Sequence, residues 1–218
     1  DIEIKTPYNF KLWIKSLLPK INNLSKANNI KDFLWDDLTL EQDRLTSLNL
    51  DIFGSHSFKA RDLEILCSQV FQSFTQLTSL KLVFSSQDIT DAGVNNICSQ
   101  GVKYLTQLES LSLKFSVCDH ITDKAVTILC SQGLTHLINL KYLNLEFVAC
   151  SHITDQGVMN LCSNGFVHLK KLTFLSLNFA SCPHITDHAV NSLCSKELEH
   201  LTQLRSLSLN FASCQNIT

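Results

Sequence analysis

Apolar residues return along most of the chain in one phrase, Leu-x-x-Leu-x-Leu-x-Phe, which opens each of six units. Successive units begin 31 or 32 residues apart. Their first leucines are Leu45, Leu77, Leu108, Leu140, Leu172 and Leu204. Self-similarity at a fixed period of this size is typical of an array of small supersecondary units, each packed on its neighbours.

The first half of each unit is predicted to be a strand. The last three apolar positions of the phrase alternate with other residues, which is the period of a strand with one buried face. The final apolar position is a phenylalanine in five units and Ile52 in the first. Stacked units therefore predict parallel strands side by side, with a ladder of phenylalanines beside ladders of leucine.

The second half of each unit is predicted to be a helix that follows an Ile-Thr-Asp sequence, where Thr122 or Asp123 can cap its first turn. Apolar residues then recur on one helical face, as in Val158, Leu161, Cys162, Gly165, Phe166 and Leu169. The glycine in this pattern has two interpretations: close approach of the helix to the sheet, or a left-handed helix end. We favour a continuous helix, with local irregularity near Glu197.

Residues 1–44 lack the repeat. Apolar residues there recur at helical spacing, beginning with Phe10, Trp13 and Ile14. Because the end units of such an array must shield its core, we predict a mostly helical N-terminal cap over 1–44 and a repeat array over 45–218. A separate recruitment helix is the alternative. The array has five full units and a truncated sixth, so we expect the sequence to be a piece of a longer protein.

Composition narrows the class of partner. The chain has 218 residues, 44% of them hydrophobic, and a formal net charge of −2. This balance argues against nucleic acid and anionic membrane as partners. No apolar run reaches the length of a membrane span, and no signal peptide is visible.

Nine cysteines fall into two registers of the repeat. The helix register contains Cys67, Cys98, Cys130, Cys162 and Cys194, and the strand-end register contains Cys118, Cys150, Cys182 and Cys214. Cysteines that recur with the repeat fill an equivalent small apolar site in each unit. Only the strand-end cysteines come close enough for disulfides. We expect them to be reduced, which indicates a reducing, cytoplasmic location.

The units resemble the leucine-rich repeat family over Leu45–Thr218. The sequence Cys-x-x-Ile-Thr-Asp, as at Cys118–Asp123, is similar to the cysteine-containing class of that family, and the long helix is similar to ribonuclease-inhibitor-type repeats. The resemblance implies an α/β horseshoe, with strands on the concave face and helices on the convex face. The cysteine-containing class is often found in substrate receptors of ubiquitin ligases.

Two groups of residues that recur with the repeat have the residue types of a metal site or of an acid–base catalytic pair. Cys-x-His, as at Cys118 and His120, has good zinc ligands, and Asp123 stands where an acid–base partner of His120 could lie. The structural interpretation is stronger, because a repeated register explains inward cysteines, rim histidines and capping aspartates. We therefore predict no metal, no cofactor and no catalytic residue.

Functional differences between units are expected on the concave face, where most outward strand positions carry small polar residues. Tyr142 and Phe174 break that pattern in neighbouring units, and exposed aromatic residues ringed by polar groups are typical of binding hot spots. Lys114, Asn144 and Glu146 form the predicted polar rim. The alternative is that the two rings pack on each other or on another segment.

The sequence thus predicts a non-enzymatic scaffold that binds a protein partner on its concave face. One alternative is a sensing or targeting region of a larger enzyme, such as a ubiquitin-ligase subunit, a kinase or a nucleotide switch. Another is a structural subunit of a large cytoskeletal or ciliary assembly. Partner identity and oligomeric state are not encoded in these patterns.

Overall fold

A computed structural model of the chain describes residues 46–51, 60–85, 89–194 and 196–218. The predicted N-terminal cap over 1–44 and the inward position of Ile52 lie outside these ranges and stay predictions.

Six strands form one parallel sheet in sequence order. The strands are β1 (Ser47–Asp51), β2 (Ser79–Phe84), β3 (Ser110–Ser116), β4 (Tyr142–Val148), β5 (Phe174–Asn178) and β6 (Ser206–Asn210). Each strand pairs with the next in a register that places equivalent residues side by side, such as Leu113 beside Leu145. This arrangement confirms the predicted fold: the chain is an α/β leucine-rich-repeat solenoid.

The inward positions form ladders that run through the core. Phe115 and Phe147 are almost fully buried, and their rings stack with centroids 5.4 Å apart. The stack continues through Phe179 to Phe211 at 5.7 Å and 5.8 Å. Because parallel strands lie about 4.8 Å apart, an in-register column of rings packs face to face with a slight offset. The predicted phenylalanine ladder is confirmed.

The helical halves pack on one face of the sheet and are not regular α-helices. The short α-helices are α1 (Ala60–Ile65), α2 (Asp91–Asn96), α3 (Asp123–Ile128), α4 (Asp155–Asn160) and α5 (Asp187–Cys194). The first four are each followed by a π-helical turn: Leu66–Val70, Ile97–Gly101, Leu129–Gly133 and Leu161–Gly165. The last unit differs, since α5 is followed by the 3₁₀ helix Lys196–His200. The helical irregularity expected near Glu197 is therefore a 3₁₀ helix in place of a π-helical turn.

The glycines of the π turns fit neither of the two interpretations made from the sequence. Gly101 and Gly133 have φ of −115° and −99°, so neither is a left-handed helix end. A Cβ at Gly133 would lie 3.1 Å from the Cys98 Sγ, and one at Gly165 would lie 3.0 Å from the Cys130 Sγ. The close approach is thus to the preceding helical half and not to the sheet. A side chain at Gly133 or Gly165 would press on a cysteine of the previous unit, so glycine fits these places without displacing that cysteine.

A repeated hydrogen-bond pair joins the start of each of the helices α2 to α5 to the next unit. Thr154 caps α4 by accepting a hydrogen bond from the Gln156 N–H at 3.2 Å. The capping oxygen is the threonine's, and the aspartate has another partner. Asp155 accepts from the Thr186 N–H at 2.8 Å and from its Oγ1–H at 2.6 Å. The equivalent pairs are Asp91–Thr122, Asp123–Thr154 and Asp187–Thr218.

In each of the last four units, one residue after the strand has left-handed backbone. These residues are Val117, Ala149, Ser181 and Ser213, with φ of 56°, 52°, 61° and 62°. A non-glycine residue in this region is strained, most of all a β-branched one such as Val117. The conformation persists because the backbone N–H is bonded across the array, as from Ala149 to the Ala180 oxygen at 2.8 Å.

We expect Asp155→Ala to lower the free energy of unfolding by about 2 kcal/mol, because two charge-assisted hydrogen bonds between units are lost. Urea denaturation followed by circular dichroism measures the change. Asp119→Ala is the matched control: Asp119 accepts one hydrogen bond from the Ser151 hydroxyl at 2.9 Å, and its loss should cost less than about 1 kcal/mol. Equal losses in the two variants would contradict the coupling role of Asp155.

We expect Ala149→Gly to raise the free energy of unfolding by about 1 kcal/mol, because the strain of a left-handed Ala exceeds the extra chain entropy of glycine. The same denaturation experiment applies. Ala180→Gly is the control with the opposite sign: Ala180 is not among the left-handed residues, so only the entropic cost should appear. Destabilisation by both changes would argue against strain at Ala149.

Candidate functional site: a stacked aromatic pair on the open face of the sheet

The face of the sheet opposite the helices carries the outward strand positions, and we call it the open face; it is the concave face of the predicted horseshoe. The structure brings the five predicted site residues together there. Tyr142 on β4 lies directly beside Phe174 on β5. Lys114 lies beside Glu146. Asn144 stands between Tyr142 and Glu146 on the same strand and the same face.

Tyr142 and Phe174 form a face-to-face pair. Their ring centroids are 4.5 Å apart and the ring planes differ by 6°. In-register pairing explains this geometry, since both side chains leave adjacent parallel strands at the same height. The rings do pack on each other, as the alternative interpretation held. They are still open to solvent, with Tyr142 37% exposed and Phe174 partly so.

Asn144 is a correction to the predicted rim. It is only 6% exposed, so it cannot form part of an exposed border around the rings. Its amide donates one hydrogen bond to the Ser112 Oγ at 3.1 Å and another to the Glu146 Oε1 at 2.9 Å. Burial of the polar amide is tolerated because both of its protons are satisfied. Asn144 therefore holds the Glu146 carboxylate through a hydrogen bond along the strand.

Glu146 links two neighbouring strands. Its Oε1 accepts from Asn144 and forms an ion pair with the Lys114 Nζ. Both charged side chains are mostly buried, with 29% of Lys114 and 20% of Glu146 exposed. This cluster of Ser112, Lys114, Asn144 and Glu146 fixes the surface next to Tyr142 in one arrangement.

Sequence reasoning missed a second ion pair at the amino-terminal end of the same strands. Lys141 donates to the Glu109 Oε1 at 2.7 Å. Glu109 and Lys141 each stand one residue before an outward position, Ser110 and Tyr142. The repeat register could have indicated them, because residues one period apart occupy neighbouring places in the array.

The Cys-x-His motif does not converge on a metal site. Cys118, Cys150 and Cys182 are fully buried, whereas the histidines two residues later are exposed. Within the described ranges, no group of three or more His, Cys, Asp or Glu side chains is arranged to hold a metal ion.

The acid–base interpretation of Asp123 is not supported either. Both of its carboxylate oxygens accept hydrogen bonds from Thr154, at 2.9 Å from the N–H and 2.6 Å from the hydroxyl. Asp123 therefore belongs to the inter-unit pairs described above.

The strand-end thiols bond to the backbone of the preceding unit. The Cys182 Sγ donates to the Phe147 oxygen at 2.9 Å, and the Cys214 Sγ to the Phe179 oxygen at 3.1 Å. A cysteine at this register fills a small apolar site and satisfies a buried carbonyl. All nine cysteines are free thiols in the structure, and eight are buried.

Cys194 departs from the expectation that every helix-register cysteine is buried, because it is exposed. Cys98 and Cys130 are covered by a glycine of the next unit, whereas Cys194 lies on the last described α-helix. Burial raises the pKa of Cys67 and Cys130 to about 12 and that of Cys182 to about 11, from an ordinary 9.0. These thiols are therefore poor nucleophiles at neutral pH.

No helix in the described ranges is both long enough and apolar enough to cross a membrane.

Comparison with known proteins gives distant structural likenesses. The chain is similar to a protein in the crystal structure of the yeast Rad7 and Elc1 complex, with 22% identity and a TM-score of 0.45 over 81% of this chain and 46% of that one. It is also similar to a protein in the TLR13–ssRNA13 complex, with 22% identity and a TM-score of 0.35 over 77% of this chain and 22% of that one. The chain thus spans less than half of either structure. No family model and no curated protein matches the sequence.

We expect the buried thiols to leave the free energy of unfolding unchanged below pH 9. From pH 9 towards 12 they should lower it. The folded-state pKa of Cys130 is raised to about 12, so above pH 9 only the unfolded chain releases that proton. Urea denaturation at half-unit steps of pH measures the slope. Between pH 9 and 11, Cys130→Ala should reduce the slope of the free energy of unfolding against pH by the amount that corresponds to about one proton. An unchanged slope in Cys130→Ala would contradict the assignment.

Proposed function

We propose that this chain is a non-enzymatic protein-interaction scaffold that binds a partner on its open face, with Tyr142 and Phe174 as the central contacts. One observation carries the proposal: two stacked aromatic rings are exposed on a face whose other outward residues are mostly small and polar. Tyrosine and tryptophan are enriched among residues that dominate binding energy, and large rings supply contact area at low entropic cost.

Rigidity supports this assignment. Each ring stands on a strand bonded on both sides, and each supports the other at a centroid distance of 4.5 Å. The neighbouring cluster of Ser112, Lys114, Asn144 and Glu146 is also held by hydrogen bonds and an ion pair. A surface that is already ordered loses little conformational entropy when a partner binds, so more of the contact energy appears as affinity.

The residues with catalytic chemistry favour a scaffold over an enzyme. The carboxylates of the Asp123 register bond to threonines of the next unit. Burial raises the pKa of the Cys182 thiol to about 11. These groups are used for packing, and no nucleophile, base and orienting group come together among them.

We extend the proposal to the type of repeat and the location. The strand-end cysteines bond to carbonyls of the preceding unit, and the Thr–Asp pairs join the helix starts. These contacts give the Cys-x-x-Ile-Thr-Asp sequence a structural purpose, which favours the cysteine-containing type of leucine-rich repeat. Nine free thiols favour a reducing compartment such as the cytoplasm.

We expect Tyr142→Ser with Phe174→Ser to abolish capture of the specific partner. Loss of two central aromatic contacts should cost about 3 kcal/mol or more, which is over a hundredfold in affinity. The measurement is capture of proteins from an extract of the native cells on immobilised chain, followed by mass spectrometry. Proteins retained by the unaltered chain and lost from the variant are the partners.

Tyr104→Ser with Ile138→Ser is the matched control. These residues are 46% and 58% exposed and lie outside the strands, so the control removes similar apolar surface elsewhere. It should retain the partners. Circular dichroism should show that both variants are folded. If the open-face variant captures the same proteins as the unaltered chain, the aromatic pair is not the binding site.

A further inference from the structure

Three basic residues lie close to the starts of the last two described strands. Lys170 and Lys171 lie just before β5, and Arg205 lies just before β6; all three are exposed. We call these three residues the basic edge. None of them forms an ion pair with a carboxylate within the described ranges, and the Lys171 Nζ is bonded only to the neutral Asn139 Oδ1 at 2.8 Å. The edge is therefore locally basic on a chain whose formal net charge is −2.

The basic edge adjoins the aromatic pair. The Arg205 N–H donates to the Thr173 oxygen at 2.9 Å, one residue before Phe174. Lys141, beside Tyr142, forms an ion pair with Glu109, whereas Arg205, beside Thr173, forms none within the described ranges. Glu199 is the exposed acidic residue nearest along the chain to Arg205, on the preceding 3₁₀ helix.

Phe174 has one ring face covered and the other open. Tyr142 stacks on one side, whereas the strand neighbour on the other side is Ser206. Ser206 is small and exposed, and so is Ser208 two residues further along β6. A serine side chain cannot cover a phenyl ring. One face of the Phe174 ring is therefore uncovered above Ser206, and Arg205 directly precedes that serine in the chain.

We infer that the partner presents an aromatic side chain within an acidic segment. This inference rests on the proposed function and specifies its chemistry. The aromatic ring extends the Tyr142–Phe174 stack over Ser206, where strand spacing sets the right distance for a third ring. Flanking Asp or Glu side chains meet the basic edge, where exposed charges increase the association rate and select against basic partners.

Two rival ligands fit the charges less well. A partner arginine can also stack on an aromatic ring, but it would approach three positive charges that no described carboxylate offsets. Single-stranded nucleic acid needs stacking residues together with a basic groove that follows several phosphates. Here the charges on the strands do not continue from the basic edge: Lys114 is paired with Glu146, the other outward residues of β5 and β6 are neutral, and Lys81 lies two strands away from β4.

The test is selection of random peptides displayed on phage, with the unaltered chain as bait. Peptides that also bind Phe174→Ser are removed. We expect the remaining sequences to be enriched in Phe, Tyr or Trp next to Asp or Glu. A synthetic peptide from this set should bind Arg205→Glu about five- to tenfold more weakly. Lys124→Glu, an equivalent reversal at an exposed lysine of α3, should bind it without change.

The outcomes separate this inference from the proposed function. Phe174-dependent peptides rich in Arg or Lys, or lacking acidic residues, would overturn the inference and leave the scaffold function standing. Failure to recover any Phe174-dependent peptide, together with unchanged partner capture by the Tyr142→Ser and Phe174→Ser variant, would overturn both. Binding of a ten-nucleotide oligouridylate that is lost in Phe174→Ser and Arg205→Glu would overturn the inference in favour of single-stranded RNA.

Discussion

In-register parallel stacking is the constraint on which the rest of this structure depends. Each residue of a strand lies beside its equivalent one period away, as Leu113 lies beside Leu145 and Phe115 beside Phe147. A useful contact between two units therefore recurs along the array. Phenylalanine rings stack on rings, aspartates bond to threonines, and strand-end thiols bond to carbonyls. Stability of such an array is a sum of these nearest-neighbour terms.

The same constraint creates the candidate site. When two adjacent units carry a large ring at an outward position, register alone brings the rings face to face, as in Tyr142 and Phe174. The pair is then rigid without any loop to hold it. The charges differ on the two sides of the pair: Lys141 beside Tyr142 is paired with Glu109, whereas Arg205 on the Phe174 side has no ion pair within the described ranges. Packing between units thus holds the aromatic pair in place, and the residues that depart from the repeat make this part of the surface different from the rest.

Repetition also has a cost that is visible in the backbone. Each of the last four units has a left-handed residue after its strand, and none of the four is glycine. Val117 is β-branched and 55% exposed, so neither ease of conformation nor burial favours it there. The backbone hydrogen bond to the next unit holds the strained residue in place. Hydrogen bonding between units thus overrides the backbone conformation that the residue would prefer by itself.

Periodicity in the sequence was sufficient to determine the strands, their parallel order, the inward leucines and phenylalanines, and the outward position of Tyr142 and Phe174, because period and alternation decide which face a side chain occupies. Contacts between units were decided only in the tertiary structure. The sequence suggested Asp123 as a possible cap of its own helix and Asn144 as part of an exposed rim, whereas packing gave Asp123 a threonine of the next unit and buried Asn144 next to Glu146. Distances across units depend on how neighbouring side chains fill space, which no single unit encodes.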